Sequence, residues 1–551
     1  MEKNYMNIPA EKFQFARRND LYHDSKFDTK PVSYFQGAFR RFCKNKGAVV
    51  GGIVITLLVL FAIIAPFFTP FQPAYYDMVF RHATPKMNFF AENGIDFWDG
   101  YKQKETSYVG YLKDFALASE TGKDIIKRGE YTVAEDDEGG VVYSYRYDTY
   151  AGVGFGKYKL ITQEEYEDIQ RYQDETGRQV LYPIVSSEDR KVMHNKNKED
   201  ANIYYVMENP KDAVARPKLD EEGNVIPNYW KYEVGSPSSL VAEYNSTRIE
   251  GDDGVVQKVP VIDENGQYVR DEDGNIVEEE KTFYYVYGQK TPGGIEVRAE
   301  YCEYYTYQHT QVAKDGIDEP VFLFGATGTG KDIFACLAYG ARFSFIFATL
   351  VAAVNFIVGV IWGSISGYFG GKIDLFMERF SEILGSVPSM IVITLLKYHM
   401  GSTSQALVLF IAFFVTGWIG MAGRTRMQFY RFKNQEYVLA ARTLGASDWR
   451  IMFKHIFPNG LGTIVTSVAL VIPSMIYSET SLSYLGIINL EAGNTTSVGT
   501  LIAAGQTSIV ANAGHVALFP CLFLVLLMLS FNLFGNGLRD AFNPSLRGSE
   551  D

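Results

Sequence analysis

The residues most suggestive of chemistry lie between Val321 and Asp332, where Gly325, Gly330 and Lys331 fit the spacing G-x-x-x-x-G-K. Such a loop holds phosphate when backbone N–H groups cradle it, the lysine reaches the terminal phosphates and a following Ser or Thr holds magnesium. The following residue is instead Asp332, an anion where the hydroxyl should stand. No alternating strand–helix pattern follows to build a parallel sheet, so nucleotide binding is not expected of this loop. Asp271 to Glu278 faintly resembles a calcium loop but lacks alternating ligands ahead of Gly274, and reads as a solvated turn. Seven histidines and four cysteines (Cys43, Cys302, Cys336, Cys521) are scattered without ligand spacing. His399 and His515, beside apolar runs, read as interfacial. The expectation is no catalytic residue, no metal, no cofactor held by the chain and no nucleic-acid partner.

Two other places carry more information. Glu436 to Asn459 reads as a helix, a glycine break and a second helix. Gly445 suits the positive φ that closes a helix, Ser447 is placed to cap the next one, and Pro458 is expected to end it. Ala440 and Ala441 are small and would let another surface approach; the candidate residues of the loop are Glu436, Ala440, Ala441, Gly445, Ala446, Asp448, His455 and Pro458. A short rigid hairpin of this kind makes a good lever. Glu479 lies at the end of a long apolar run, where an ionisable group is a functional candidate. It is a candidate to line a pathway, with an inter-helix hydrogen bond as the alternative.

The elements that position these residues follow from hydropathy. Over 551 residues the net charge is −12 and mean hydropathy −0.07, values that taken alone would suit a soluble acidic protein. The average conceals two parts. Residues 77–320 hold 48 acidic and 28 basic residues, whereas the remainder holds 16 acidic and 24 basic. A spanning helix needs about 20 apolar residues. Charge-free runs extend over Gly47–Tyr76, Phe343–Gly371, Gly401–Gly423, Ile456–Ser478 and Val516–Leu538. Met377–Leu396 is a weaker candidate with Glu378, Arg379 and Glu382 at its start, bringing the expected number of spans to six.

Basic residues beside the spans set orientation. Arg40, Arg41, Lys44 and Lys46 precede the first span; Arg424, Arg426, Arg431, Lys433, Arg442, Arg450 and Lys454 mark the loop between the fourth and fifth; Arg539 and Arg547 follow the sixth. All three segments fall on one side, expected to be cytoplasmic. The expected division is a cytoplasmic segment 1–46, a first span 47–76 read as an uncleaved anchor, an extracytoplasmic insertion 77–320, a pre-membrane segment 321–342, spans 343–538 with a cytoplasmic loop 424–460, and a cytoplasmic tail 539–551. In the insertion, runs such as Val141–Tyr147 and Thr282–Tyr287 alternate with acidic-glycine turns at Asp136–Gly139, Glu221–Asn224, Asp263–Gly266 and Asp271–Gly274. These are strand and hairpin signals. The fold class expected is an all-α polytopic membrane domain with a β-rich or α+β domain inserted.

The hairpin at Glu436–Asn459 resembles the E-A-A-x3-G loop of ABC importer permeases. Further resemblances lie in order along the chain: Gly328–Asp332 with Ala338–Arg342, Ser366–Gly371, Ser478–Gly486, and Phe531–Asp540 with Pro544. Over roughly 35–75 and 320–548 the chain is similar to C-type permeases of the oligopeptide/dipeptide/nickel importer family. Two features depart from that pattern: Leu439 replaces the motif glutamate, with Glu436 or Asp448 as substitutes, and the insertion is far larger than usual. The resemblance implies a complex with a second homologous permease, two ABC ATPase subunits that use ATP and magnesium, and an extracytoplasmic solute-binding lipoprotein, all at the bacterial cell membrane among its lipids. It implies a coupling role for Ala440–Pro458 and import of peptides, with nickel or another small solute as the alternative cargo. A membrane receptor or scaffold working through the external domain is the competing class.

Overall fold

In a computed structural model the described residues are 34–135, 140–154, 158–184, 218–221, 226, 231–233, 248–263, 266–401 and 403–542. The expected turns at 136–139 and 222–224, and the tail from 543 with Arg547 and Pro544, lie outside them, as do 264 and 265 of the 263–266 turn.

The chain enters on α1 (Tyr34–Lys44) and α2 (Lys46–Ile64), the latter capped by Asn45, whose side chain accepts from Ala48 N at 3.2 Å. After α2 an acidic module intervenes. Its first sheet is antiparallel, in the order β1 (Tyr101–Thr106), β3 (Val141–Asp148), β2 (Ile126–Glu135), and packs beneath helix α3 (Tyr108–Thr121). Its core is tyrosine-rich: Tyr111, Tyr143 and Tyr145 are buried with Leu117 and Ile125. A phenol can be buried because its hydroxyl reaches a partner, as Tyr145 does in donating to Asp114 at 2.6 Å.

The second sheet runs β4 (Tyr158–Ile161), β9 (Gly294–Ala299), β8 (Glu278–Thr291), β6 (Lys231–Glu233), with β5 (Leu181–Tyr182) on β9 and β7 (Arg248–Pro260) on β8. Helix α4 (Gln163–Thr176) covers it, burying Tyr166, Ile169 and Tyr172. Gly274 has φ 83° in a turn closed by the Arg270–Ile276 bridge, the conformation that an Asp-Gly turn supplies cheaply. The module is thus α+β, its two sheets tied by the buried ion pair between Arg298 on β9 and Glu120 on α3.

The chain returns through α5 (Tyr301–Tyr307) to the membrane-type helices. These are α6 (Ile333–Phe369), α7 (Gly371–Gly385), α8 (Ser389–His399), α9 (Gln405–Gly417), α10 (Ile419–Phe432), α11 (Glu436–Thr443), α12 (Phe457–Ala469), α13 (Val471–Tyr484), α14 (Val498–Ile509) and α15 (His515–Phe542). Among the described residues, five helical stretches are long and apolar enough to cross a bilayer: Lys46–Phe67, Ile333–Phe369, Gln405–Phe432, Asp448–Tyr484 and His515–Phe542. The weak candidate at 377–396 differs from a straight span. α7 and α8 are bent by 70° around a break before Ser389, and count as a sixth span only if taken together. Pro388 supplies the reason, since it lacks an N–H and drives Val387 out of helical geometry.

α6 also starts ten residues earlier than the apolar run, so 333–342 are helical rather than a separate segment. At 37 residues and 1.5 Å per residue it is about 55 Å long, well beyond an apolar thickness of about 30 Å. It is the central post of the domain, and glycines bring α10 against it. A Cβ added at Gly359 would lie 2.7 Å from Met421 Cβ, one at Gly363 2.8 Å from Thr425 Cβ, and one at Gly367 2.7 Å from Phe429 Cβ. Glycine at every fourth position is how helices approach closely where apolar burial gives no net drive.

Candidate functional site: a hinged hairpin and a buried glutamate

The Gly325–Asp332 loop spends its backbone groups on itself and on residues 77–83, with Asp77 N donating to Gly330 O at 3.0 Å, His82 N to Thr327 O at 3.0 Å and Ala326 N to Ala83 O at 2.8 Å. Gly330 N donates to Thr327 O at 2.9 Å, Thr327 N to Lys331 O at 2.9 Å, and Ala326 bridges Asp332. Lys331 pairs with Glu491. Asp332 caps α6, accepting from Phe334 N at 3.1 Å and Ala335 N at 3.0 Å. Burial pushes its carboxyl up to about 7, against the pull of those two N–H groups. The aspartate that spoiled the phosphate pattern is therefore a helix cap.

The 436–458 segment is a helical hairpin. Gly445 has φ 78°, its N–H bonds Arg442 O at 3.0 Å, and Ala446 N bonds Ala441 O at 3.1 Å. Those two bonds are the Schellman closure of α11, which an L-residue with a Cβ resists. Ser447 sits at the next N-cap with extended backbone, but its side chain makes no capping bond. Pro458 does not end the second helix, contrary to expectation. The chain is helical from Asp448, widens into a π turn over Ile451–Ile456, and continues into α12 with Pro458 in its first turn. Proline is tolerated there because the π turn just ahead of it has already widened the helical ladder, so the missing N–H is accommodated locally.

Two contacts bolt the hairpin to the post. Tyr368 near the end of α6 donates to Asp448 Oδ1 at 2.5 Å, and Arg442 Nη2 lies 3.4 Å from the Tyr368 hydroxyl. Below them Val438, Ile451, Met452 and Ile456 are buried against Tyr368 and Phe429. Ala441 faces this core, whereas Glu436, Ala440 and Pro458 are exposed and His455 half-buried. Apolar residues stand exposed among charged ones on the outward side: Leu444 is 88% exposed and Trp449 60%, with Leu439 and Tyr437 also open and Arg442, Arg450 and Lys454 exposed as well. Leu439 thus occupies the open face where the resemblance expected an acid, and Asp448 is engaged internally.

A second joint, not singled out from the sequence, fixes the same end of α6. Asp374 on α7 accepts Arg426 Nε at 2.6 Å and Nη2 at 2.7 Å in a bidentate pair, together with Tyr430 OH at 2.5 Å and the Ser366 hydroxyl. Its signal was a charge three residues after a glycine pair, on the polar stripe of an otherwise apolar helix.

Glu479 lies on α13, far from the hairpin in sequence, and is 1% exposed. It accepts hydroxyls from Ser497 at 2.7 Å, Ser483 at 3.1 Å and Ser344 at 3.3 Å. Ser497 also caps α14, accepting from Thr500 N at 3.2 Å, so α14 begins at the carboxylate. A helix N-terminus favours negative charge. Gly499 leaves the room: a Cβ there would lie 2.9 Å from Glu479 Oε1. A cavity of about 140 Å³ between α6, α10 and α13 is lined by Asn355, Arg424, Ser474 and Met475; Glu479 is not among its walls.

This architecture is matched by known proteins. Residues 359–548 fit the profile of the binding-protein-dependent transport system inner membrane component, and 33–85 that of the N-terminal TM domain of oligopeptide transport permease C. The oligopeptide transport system permease protein OppC of Bacillus subtilis is 41% identical over 224 residues, 41% of this chain and 72% of that protein. The dipeptide permease DppC of the same organism is 39% identical over 41% of this chain and 69% of its own length. DppC of Lactococcus lactis is 39% identical over 42% and 65%. A structure of the MetNI methionine ABC transporter covers 38% of this chain and 96% of its own at 15% identity, with a TM-score of 0.29 that carries no fold argument. The chain belongs to the inner-membrane permeases of binding-protein-dependent ABC transporters, in the C-type oligopeptide and dipeptide branch.

Proposed function

We propose that the chain forms half of the translocation pathway of an ATP-driven importer of oligopeptides or dipeptides in a bacterial cell membrane, with both termini and the hairpin in the cytoplasm and the acidic module outside. A second homologous permease would complete the pathway, two ABC ATPases would bind and hydrolyse ATP with magnesium, and an extracytoplasmic solute-binding lipoprotein would deliver cargo. The observation that carries this reading is the hairpin: exposed leucines and a tryptophan on its outer side and a base bolted to α6. Leu439, Leu444 and Trp449 would seat in a groove of an ATPase. Closure of the ATPases would then push Asp448 and Tyr368, and through α6 tilt the spans between two states of differing contacts. The named relatives, all peptide or dipeptide permeases, favour peptide over nickel as cargo.

Glu479 is assigned to a joint between α6, α13 and α14 in the present conformation. It reaches the pathway only if those helices separate during the cycle. The test is gentle purification of the tagged chain from its native membrane, with mass spectrometry of what accompanies it. Recovery of a second permease, two ATPases and a solute-binding lipoprotein carrying peptide supports the reading. Recovery of the chain with unrelated envelope proteins only would replace it with a receptor or scaffold.

A further inference from the structure

Besides backbone bonds between residues 77–86 and the segment leading into α6, the module touches the membrane domain through a finger of chain, 87–98, with the sequence Met-Asn-Phe-Phe-Ala-Glu-Asn-Gly-Ile-Asp-Phe-Trp. Its base is closed by the Lys86–Asp99 bridge and by Met87 N donating to Trp98 O at 2.8 Å. Lys127 holds both Asp96 and Asp99, so the finger is fixed to the first sheet. Trp98 adopts φ 56°, a left-handed conformation that a bulky residue keeps only when its surroundings impose it. The surroundings are an aromatic stack. The Trp98 ring lies parallel to Phe324 at 6.2 Å and to Phe519 at 6.0 Å, and those two stack on each other at 4.2 Å.

Phe519 sits in the second turn of α15, and this fixes the level of the finger. Around it Leu518, Leu522, Val525 and Leu529 form an exposed stripe at helical spacing, the outer face of a stretch long enough to span a bilayer. Trp98 therefore packs beside the first turns of that stripe. The finger also leaves Phe89 64%, Phe97 60% and Ile95 41% exposed. Four aromatics in twelve residues, some open and one stacked on a spanning helix, supply the Trp and Phe side chains that interfacial segments bury at the headgroup–acyl boundary.

We infer that the 87–98 finger inserts Phe89, Ile95 and Phe97 into the headgroup–acyl boundary of the leaflet on the module's side, so that the inserted module rests on lipid as well as on protein. The inference needs α15 to cross the membrane but not the importer reading, and it does not depend on cargo or partners. Its occupant is a phospholipid surface, continuous with the lipid face of α15. A protein cover would have to follow that same stripe into the bilayer.

The test uses the full-length chain, purified with whatever accompanies it and reconstituted in phosphatidylcholine nanodiscs. In a Cys43→Ser background, Phe97→Cys carries a bimane probe, and Val256→Cys, 61% exposed on the edge strand β7, is the reference; the unsubstituted background corrects for the other cysteines. Phosphatidylcholine with a doxyl group high on the acyl chain should quench the probe at 97 roughly threefold more than the probe at 256, with aqueous iodide showing the reverse order. Equal iodide quenching at both positions would overturn the inference in favour of a solvated finger. Protection of position 97 from both quenchers would overturn it in favour of a protein partner. Because Phe97 is open to the surroundings its replacement spares the fold, and an unchanged melting temperature of the labelled protein verifies that.

Discussion

The membrane frame and the inserted module bury polar groups by opposite means. In the module, the carboxylates of Asp114 and Glu120 meet Lys104 and Arg298, and phenols such as Tyr145 donate to acids. Within the frame Glu479 is met by three neutral hydroxyls, and helices close on glycine rather than on large side chains. Ion pairing appears in the frame toward its ends, where Asp374 meets Arg426 near the hairpin and Lys331 meets Glu491 at the start of α6. The contrast reflects the solvent of each part. A module in water gains from apolar burial, so it can fill its core with rings and bury charges as matched pairs. Helices in lipid gain little from burying leucine against leucine, so close packing and inter-helix hydrogen bonds must do the holding.

The comparison can be broken in several places. The largest effect is expected at the hairpin. Gly445→Pro cannot reach φ 78° with a ring that fixes φ near −65°, and should reduce substrate-stimulated ATP hydrolysis of the assembled complex by about tenfold or more. Hydrolysis and assembly both unchanged would sink the coupling role. In the post, Gly363→Val places methyl groups against Thr425 and the Ala422 carbonyl and should cost about 1–3 kcal/mol, as overpacking does. Thermal unfolding of the detergent-solubilised protein would show it, and a neutral result would mean that α6 and α10 are not held by close approach.

Smaller effects sharpen the contrast. Glu479→Ala strands three buried hydroxyls and should cost about 1–3 kcal/mol, whereas Glu479→Gln keeps an acceptor and should cost less. If Glu479→Gln abolished transport without changing the melting temperature, the residue would belong to the pathway instead of the joint. In the module, Lys159 lies over the Tyr304 ring at 3.6 Å and the Tyr301 ring at 4.5 Å, and burial lowers its ammonium to about 8. A lysine whose folded pKa is depressed binds fewer protons folded than unfolded between that value and its ordinary one of about 10.4. Module stability should therefore rise with pH from about 8 until tyrosines begin to titrate near 10. Lys159→Met should flatten that rise in a melting series; an unchanged slope would assign it to other groups. The smallest effect is at Ser447, whose hydroxyl caps nothing: Ser447→Ala should move stability by less than about 0.5 kcal/mol. A loss typical of an N-cap would show that the bond forms in solution.

Much of the frame was legible because its signals are local. Charge-free runs give spans, Gly445 gives a helix stop, and an aspartate at the wrong place in Gly325–Asp332 argues against phosphate and, once folded, caps α6. Pro458 was misread for an equally local reason: a proline near a helix end and a proline in the first turn of a helix look alike in sequence. The π turn at Ile451–Ile456, which decides between them, leaves no pattern in residue types. Asp374 was missed because its meaning depends on Arg426 and Tyr430, more than fifty residues away.

Sequence alone determined that this protein has a basic, apolar frame divided by an acidic, strand-forming insertion, because bilayer thickness and side-chain periodicity act over twenty residues or fewer. It also fixed the family, through short motifs kept in order. Tertiary structure decided which charges meet. Tyr368 holds Asp448, three serines from separate helices surround Glu479, and Trp98 of the insertion stacks on Phe519 of the last span. Tyr368 and Asp448 are 80 positions apart, Ser344 and Glu479 135, and Trp98 and Phe519 about 420, and no periodicity reaches that far. They follow only from how the long helix α6, the glycine contacts along it and the module's sheets pack together.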